Sequence, residues 1–338
     1  MTELKEQRVE AGAQTTSENE TPRVAAAPGS VVAVTAAAPR DSMRHAPVFV
    51  LAPARSNSSV VTAMLGQHPD LCVFPELALF RKNTVDDLLT DPPGWKGPAT
   101  RLRLAGVFRA LAENQGGGQT PESVAAAERW VAARRSWHVG DLLDHLLDLA
   151  APLVGIEKSP ENSSREEYLV RLNATYPRAR YLHLSRHPLP SILSMHRAWS
   201  EKGYWKIDPE LFHHFCVGVW YYQHARITRF FETLPPDRGF RVRSEDVVND
   251  PEGTLPAFCR WLGIDAGPEA IEAMSHPERS PYAQTGPEGA LGGWDAGFMK
   301  DPALRKTEIP GRLEFPQEWI VDPWLGLATF ELASRLGY

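Results

Sequence analysis

Hydrophobic positions along this chain follow two rhythms. Short unbroken apolar runs are separated by longer stretches in which apolar residues return every three or four positions. The first run, "PVFVLA" (Pro47 to Ala52), is too short for a helix and apolar throughout, the pattern of a strand buried on both faces of a parallel sheet. After it, Val60, Val61, Met64 and Leu65 predict the apolar face of a helix over about 58–67, ending before Pro69. "LCVFPELALF" is another apolar stretch, broken by Pro75. From about 92 to 151 the pattern is helical, interrupted at Gly116 to Gly118, with Thr120 and Pro121 as the N-cap and first turn of the helix that follows. "LVGIEK" (Leu153 to Lys158), "RYLHLS" (Arg180 to Ser185) and "GFRVR" (Gly239 to Arg243) predict three further strands. A long amphipathic helix, "FHHFCVGVWYYQHARITRFFETL", lies between the last two, and "PEGTLPAFCRWLGI" follows as another helical unit. Strands alternating with helices predict an α/β fold: a central parallel sheet with helices on both faces. The helical stretch over about 92–151 reads as an insertion that roofs a site.

Composition narrows the class. At 338 residues, with 43% hydrophobic and 23% charged positions, the chain has ample material for a globular core. A net charge of −6 argues against nucleic acid as the main partner and leaves room for a small anion in a locally basic pocket. Cys72, Cys216 and Cys259 match no metal spacing and read as reduced thiols of a cytoplasmic protein. No run reaches the roughly 20 apolar residues of a membrane span, and no basic leader opens the chain. Residues 1–44 contain no aromatic residue and are rich in Glu, Thr, Ala, Ser and Pro, the composition of a disordered tail. The folded part is expected over 45–338. The sequence does not specify an oligomeric state.

The chemistry begins at "VLAPARSNSS", residues 50 to 59, between the first strand and its helix. Such a loop gathers free backbone N–H groups and the positive end of the helix dipole, a setting for an anion. Laid on the nucleoside-triphosphatase pattern G-x-x-x-x-G-K-[ST], the loop has Ala52 and Asn57 for the glycines and Ser58 for the lysine; only Ser59 fits. It offers instead Arg55, a permanent cation with bidentate geometry, and the hydroxyls of Ser56, Ser58 and Ser59. Asn57 is the non-glycine residue type that best tolerates a left-handed backbone. A second stretch, "YLHLSRHPLPSILSM", sets Arg186 just past the end of a strand and Ser194 eight residues later, placed for a second phosphate at some distance from the first.

These stretches resemble the sulfotransferase family that uses 3′-phosphoadenosine 5′-phosphosulfate (PAPS). "PARSNSS" stands where that family has a P-R-S-G-[ST]-[ST] motif for the 5′-phosphosulfate, and Arg186 and Ser194 stand where it holds the 3′-phosphate. "QHPDLCVFPEL", "EKSP", "RSEDVVNDPEGTLPAFCRWLGI" and "ELASRLGY" extend the resemblance over about residues 46 to 338. Within the family it is most similar to bacterial sulfotransferases of natural-product assembly, including domains of polyketide and olefin synthases. Two positions depart from that pattern: Asn57 replaces a glycine, and "ALGGWDAGFMKDP" lacks a histidine that related domains carry. The second departure points away from a carrier-bound β-hydroxyacyl acceptor of the olefin-forming kind.

The resemblance implies a P-loop-like fold and in-line transfer of a sulfuryl group from PAPS, with PAP as product, no metal, and a small-molecule or carrier-protein-tethered acceptor. Arg55 is expected on the leaving phosphate, with Ser56, Asn57, Ser58 and Ser59 completing the cradle. Glu76 is the candidate general base, a carboxylate in an apolar run of the kind where desolvation strengthens a base; the competing reading is a helix-start carboxylate. Lys158 is placed to contact the moving sulfuryl group, or else to pair at the surface with Glu157 or Glu161. His187 and His196 are fallback bases. Arg305 and Lys306 are further candidates for the 3′-phosphate, and Trp199, Tyr204 and Trp205 for the acceptor pocket. His183 and His187 lack a metal geometry. Two other readings stay open: a kinase or NTPase with a degenerate loop, and a binding protein without turnover.

Overall fold

The computed structural model describes residues 45–90, 103–200 and 207–338. The expected tail over 1–44, the start of the helical insertion, and Tyr204 and Trp205 lie outside the described residues.

Five strands form one parallel sheet: β1 (Val48–Leu51), β2 (Leu71–Val73), β3 (Val154–Lys158), β4 (Arg180–Ser185) and β5 (Gly239–Arg243), in the order β2-β3-β1-β4-β5. Four of them coincide with the apolar runs. The fifth, β2, is the three-residue edge strand that the apolar stretch around Pro75 conceals, because strand and loop there are equally apolar. Val48 lies opposite both Ile156 and Arg180, so β1 is the central strand.

The described helices are α1 (Ser58–Leu65), α2 (Val85–Thr90), α3 (Ala105–Gly116), α4 (Pro121–Ala132), α5 (Val139–Ala150), α6 (Glu166–Thr175), α7 (Pro188–Ser200), α8 (Phe212–Glu232), α9 (Ser244–Asn249), α10 (Pro251–Leu262), α11 (Pro268–Met274), α12 (Ala296–Lys300) and α13 (Pro323–Arg335). Thr120 caps α4 as its sequence predicts, its side chain and that of Ser123 accepting reciprocally from each other's backbone N–H.

The two-residue period of β1 divides the core. Val48, Val50 and Ala52 point to one face, where they pack with Val61, Met64 and Leu65 of α1 and with Leu255, Phe258 and Ile271. Phe49 and Leu51 point to the other, into a layer built from α3, α5, α6 and α8. A third cluster joins α7, α8 and α13 around Trp220. All four β1 residues are fully buried, as a strand covered on both faces requires. None of the described residues of the helical insertion lines the cleft at the strand ends. The insertion walls one sheet face instead, and the cleft's far wall is the segment 291–307.

Candidate functional site

The carboxyl ends of β1, β3 and β4 open together where the chain order reverses around β1, the place where an open parallel sheet gathers ligands. A cleft of about 830 Å³ lies there. Arg55, Asn57, Ser58 and Ser59 form its floor, joined by Glu76, Glu161 and Arg186, with Trp199, Trp294 and Phe298 among its apolar surfaces.

The loop after β1 turns by placing two non-glycine residues in the left-handed region, Arg55 at φ 65° and Asn57 at φ 58°. Such backbone costs about 1–3 kcal/mol per residue and persists where the surroundings fix it. Asn57 meets the expectation drawn from its residue type, and its amide donates to Ser244 Oγ at 3.4 Å. Ser58 and Ser59 open α1 and line the cleft. Ser56 is fully buried and is not among the residues that line the cleft.

Arg55 and Arg186 line the same cleft and are directly linked. The Arg186 guanidinium donates to the carbonyl oxygen of Arg55 at 2.9 Å, and Arg55 Nε donates to Ser194 Oγ at 2.9 Å. Ser194 thus serves the loop arginine. Burial pulls both guanidinium groups below their ordinary range; for Arg55 the nearby charges of Arg186 and Arg197 add to the effect. Arg186 keeps a buried Nε with no hydrogen-bond partner among the described residues. Crowded cations with an unused donor are the electrostatic complement of a bound anion.

Lys158 is buried at the end of β3, not at the surface. Its ammonium donates to Ser59 Oγ at 3.2 Å and makes a close ion pair with Glu76. Glu76 lies in the loop between β2 and a 3₁₀ turn at Leu79–Arg81, so it is not a helix-start residue. The neighbouring Glu157 points to the other side of β3. There Ser159, Asn162 and the Leu77 N–H donate to its carboxylate, while Ser159 accepts from the Ala78 N–H at 2.8 Å. That network ties the Glu76 loop to the sheet.

Two contributors were not legible in the sequence. Asp295 ion-pairs with Arg55 and donates its backbone N–H to Ser59 Oγ at 3.2 Å. Arg109, fully buried on α3, donates to the carbonyls of Gln284 and Gly292 at 2.8 and 2.9 Å and so holds the wall that leads to Asp295. Gly106 on the same helix lets the Glu76 backbone pass at contact distance, and the Glu76 N–H donates to Gly293 at 2.6 Å. The histidines go elsewhere. His183 bonds to His224 in the core, His196 stacks on His213, and the His187 ring accepts from the Leu189 N–H. Arg305 lines the cleft and pairs with Asp301; Lys306 does not line it. Among the described residues no group of three or more His, Cys, Asp or Glu could hold a metal ion, and no helix is long and apolar enough to cross a membrane.

A family model described as "Sulfotransferase family" matches residues 47–268. The chain is 25% identical over 118 residues to the omega-hydroxy-beta-dihydromenaquinone-9 sulfotransferase Stf3 of Mycobacterium bovis, covering 32% of this chain and 28% of that protein. Its fold superposes on the sulfotransferase domain from the curacin biosynthetic pathway with a TM-score of 0.68 at 22% identity, covering 87% of this chain and 98% of that one. The sulfotransferase domain from the Synechococcus PCC 7002 olefin synthase gives 0.65 at 25% identity, covering 87% and 96%.

Proposed function

The chain belongs to the sulfotransferase family, and on that premise we propose that it moves a sulfuryl group from PAPS to a hydroxyl, or less readily an amine, of a natural-product intermediate that is either free or tethered to a carrier protein. The observation that carries the reading is the convergence, in one cleft, of Arg55 and Arg186 with a carboxylate–lysine pair, Glu76 and Lys158. PAPS, when bound, supplies the activated sulfuryl group and departs as PAP.

The chain's residues have three tasks: neutralise the leaving phosphate, hold the moving group, and remove the acceptor proton. Arg55 and the first N–H groups of α1 neutralise the 5′-phosphate side, where charge develops as the bond breaks. Arg186, with its unused Nε, holds the 3′-phosphate and fixes the nucleotide against the strand end. Lys158 reaches from Glu76 to Ser59, which puts a buried positive charge between the base and the phosphate loop. Glu76 takes the proton from the acceptor as its oxygen attacks. Leu291, Trp294, Phe298 and Met299 supply apolar surface for the acceptor.

Calorimetric titration with adenosine 3′,5′-bisphosphate, against AMP and Mg-ATP, tests the reading. Tight binding of the bisphosphate alone is expected. R186A should weaken it by about tenfold or more, the loss of charge-assisted bonds worth roughly 1.5–3 kcal/mol. Binding of Mg-ATP in its place would overturn the donor assignment in favour of the kinase reading.

A further inference from the structure

Arg186 stands one residue past β4, and the three residues centred on it are held by side chains that do not line the cleft. The carbonyl oxygen of Arg186 accepts from Trp220 Nε1 at 3.0 Å. The His187 N–H donates to Glu245 Oε1 at 2.7 Å. The Tyr338 hydroxyl donates to Glu245 Oε2 at 3.1 Å, which leaves the phenol oxygen to accept from Ser185 Oγ at 3.0 Å. Ser244 donates to the same oxygen of Glu245 at 3.2 Å and accepts from the Asn57 amide at 3.4 Å, so the phosphate loop is tied in as well.

Glu245 is fully buried near the start of α9. Burying a carboxyl group is costly unless donors surround it. An apolar side chain would fill the space without that cost but would leave the His187 N–H unpaired. Tyr338 reaches Glu245 because Gly337, at φ 89°, turns the chain after α13, with the Tyr338 N–H returning to the Ala333 carbonyl at 3.0 Å. Burial, then Glu245, raises the Tyr338 phenol far above its ordinary range, so it stays a donor. Resting on the PAPS reading above, we infer that Glu245 and Tyr338 are positioning residues of the nucleotide site: they hold Ser185 and His187 on either side of Arg186 and so set its grip on the 3′-phosphate. Without them the turn after β4 keeps only the Trp220 bond among these holds, and Arg186 loses its fixed aim.

The test is calorimetric titration of PAP into wild type, Y338F, E245Q, R186A and the double variants Y338F/R186A and E245Q/R186A. Y338F removes one hydroxyl. E245Q keeps the shape and an acceptor for the His187 N–H but turns an amide toward Tyr338 and Ser244. Deleting a negative charge near an anion site would by itself tighten PAP binding, so weaker binding by E245Q reports position. Both single variants are expected to bind PAP about three- to tenfold more weakly than wild type. In the R186A background neither should weaken binding further by more than about twofold, because the residue through which they act is gone. An affinity of either single variant at or above wild type overturns the inference, as does an equal loss with and without Arg186, the mark of a merely structural role. Should E245Q fail to fold, the Y338F cycle decides alone. Those results, with wild type binding PAP, leave the nucleotide site standing. Failure of wild type to bind PAP removes the nucleotide reading and the positioning pair together.

Discussion

At the scale of single residues, the cleft sets an internally paired couple, Glu76 with Lys158, beside Arg186, whose Nε has no partner among the described residues. Glu76 carries the sharpest consequence. It is the cleft carboxylate that is fixed by a buried lysine, which holds its geometry while leaving it at the acceptor side. E76Q keeps the shape and a hydrogen-bond acceptor for Lys158 but removes the proposed base. Turnover should fall by about 10²–10⁴, with PAP affinity nearly unchanged. Single-turnover assay beside calorimetry separates the two quantities, and turnover surviving the substitution would place the base elsewhere. K158A acts differently, because it deletes the link to Ser59 and leaves Glu76 without its ion-pair partner. Loss of turnover in K158A should therefore come with weaker PAP binding. The residues proposed for these roles, Arg55, Ser59, Glu76, Lys158 and Arg186, could be singled out because each sits at a strand end or in the loop and helix start that follow it. Asp295 was not legible: it is 236 positions from the serine it touches, and nothing in "GGWDAGF" marks an aspartate that reaches back to a loop.

At the scale of elements, the loop between β1 and α1 shows what sequence patterning can and cannot predict. The run "VFVL" and the periodic apolar face of α1 fix strand and helix, because buried strands and amphipathic helices leave different periods. Between them, Asn57 signals the left-handed turn by its residue type, whereas the left-handed Arg55 has no such signal and is imposed by its contacts to Arg186 and Ser194. The edge strand β2 was hidden for the converse reason, since a three-residue strand running into apolar loop has no period to read. The turn gives a clean expectation. N57G relieves the cost of a side chain at φ 58° and should leave stability and PAP affinity close to wild type. N57V forces a β-branched residue into that conformation and should lower stability by about 1–3 kcal/mol, read as a drop in the urea midpoint. Equal midpoints for N57G and N57V would mean that the loop tolerates a different backbone path.

At the scale of the whole molecule, the sheet is clamped between layers whose buried ionisable groups set a pH dependence. His183 on β4 and His224 on α8 bond to each other at 2.9 Å in the core. Burial first, then Arg241, pushes His183 down to about 3; burial first, then His183, pushes His224 well below its ordinary range. A depressed histidine gives stability that is present above its unfolded value near 6.5 and lost as pH falls. Glu157 on β3 runs the other way, its carboxyl pushed up to about 7 by burial despite hydrogen bonds from Ser159, Asn162 and Leu77. Its contribution is present below its ordinary value of 4.5 and lost as pH rises through about 7. Below pH 6.5 the unfolded chain thus takes up protons on both histidines that the folded core resists, while the folded chain keeps a proton on Glu157. The unfolded chain therefore takes up more protons than the folded one as pH falls, so stability rises with pH there. H224Q removes one of the unfolded state's protons and should flatten the profile across that window. E157Q removes the folded state's proton and should steepen it. Urea unfolding of the three proteins at pH 5, 5.5 and 6 measures the slopes directly, and groups common to all three cancel from the comparison. Parallel slopes would mean that the histidine pair and Glu157 keep their unfolded protonation inside the fold, and that the acid sensitivity of this sheet is set outside its core.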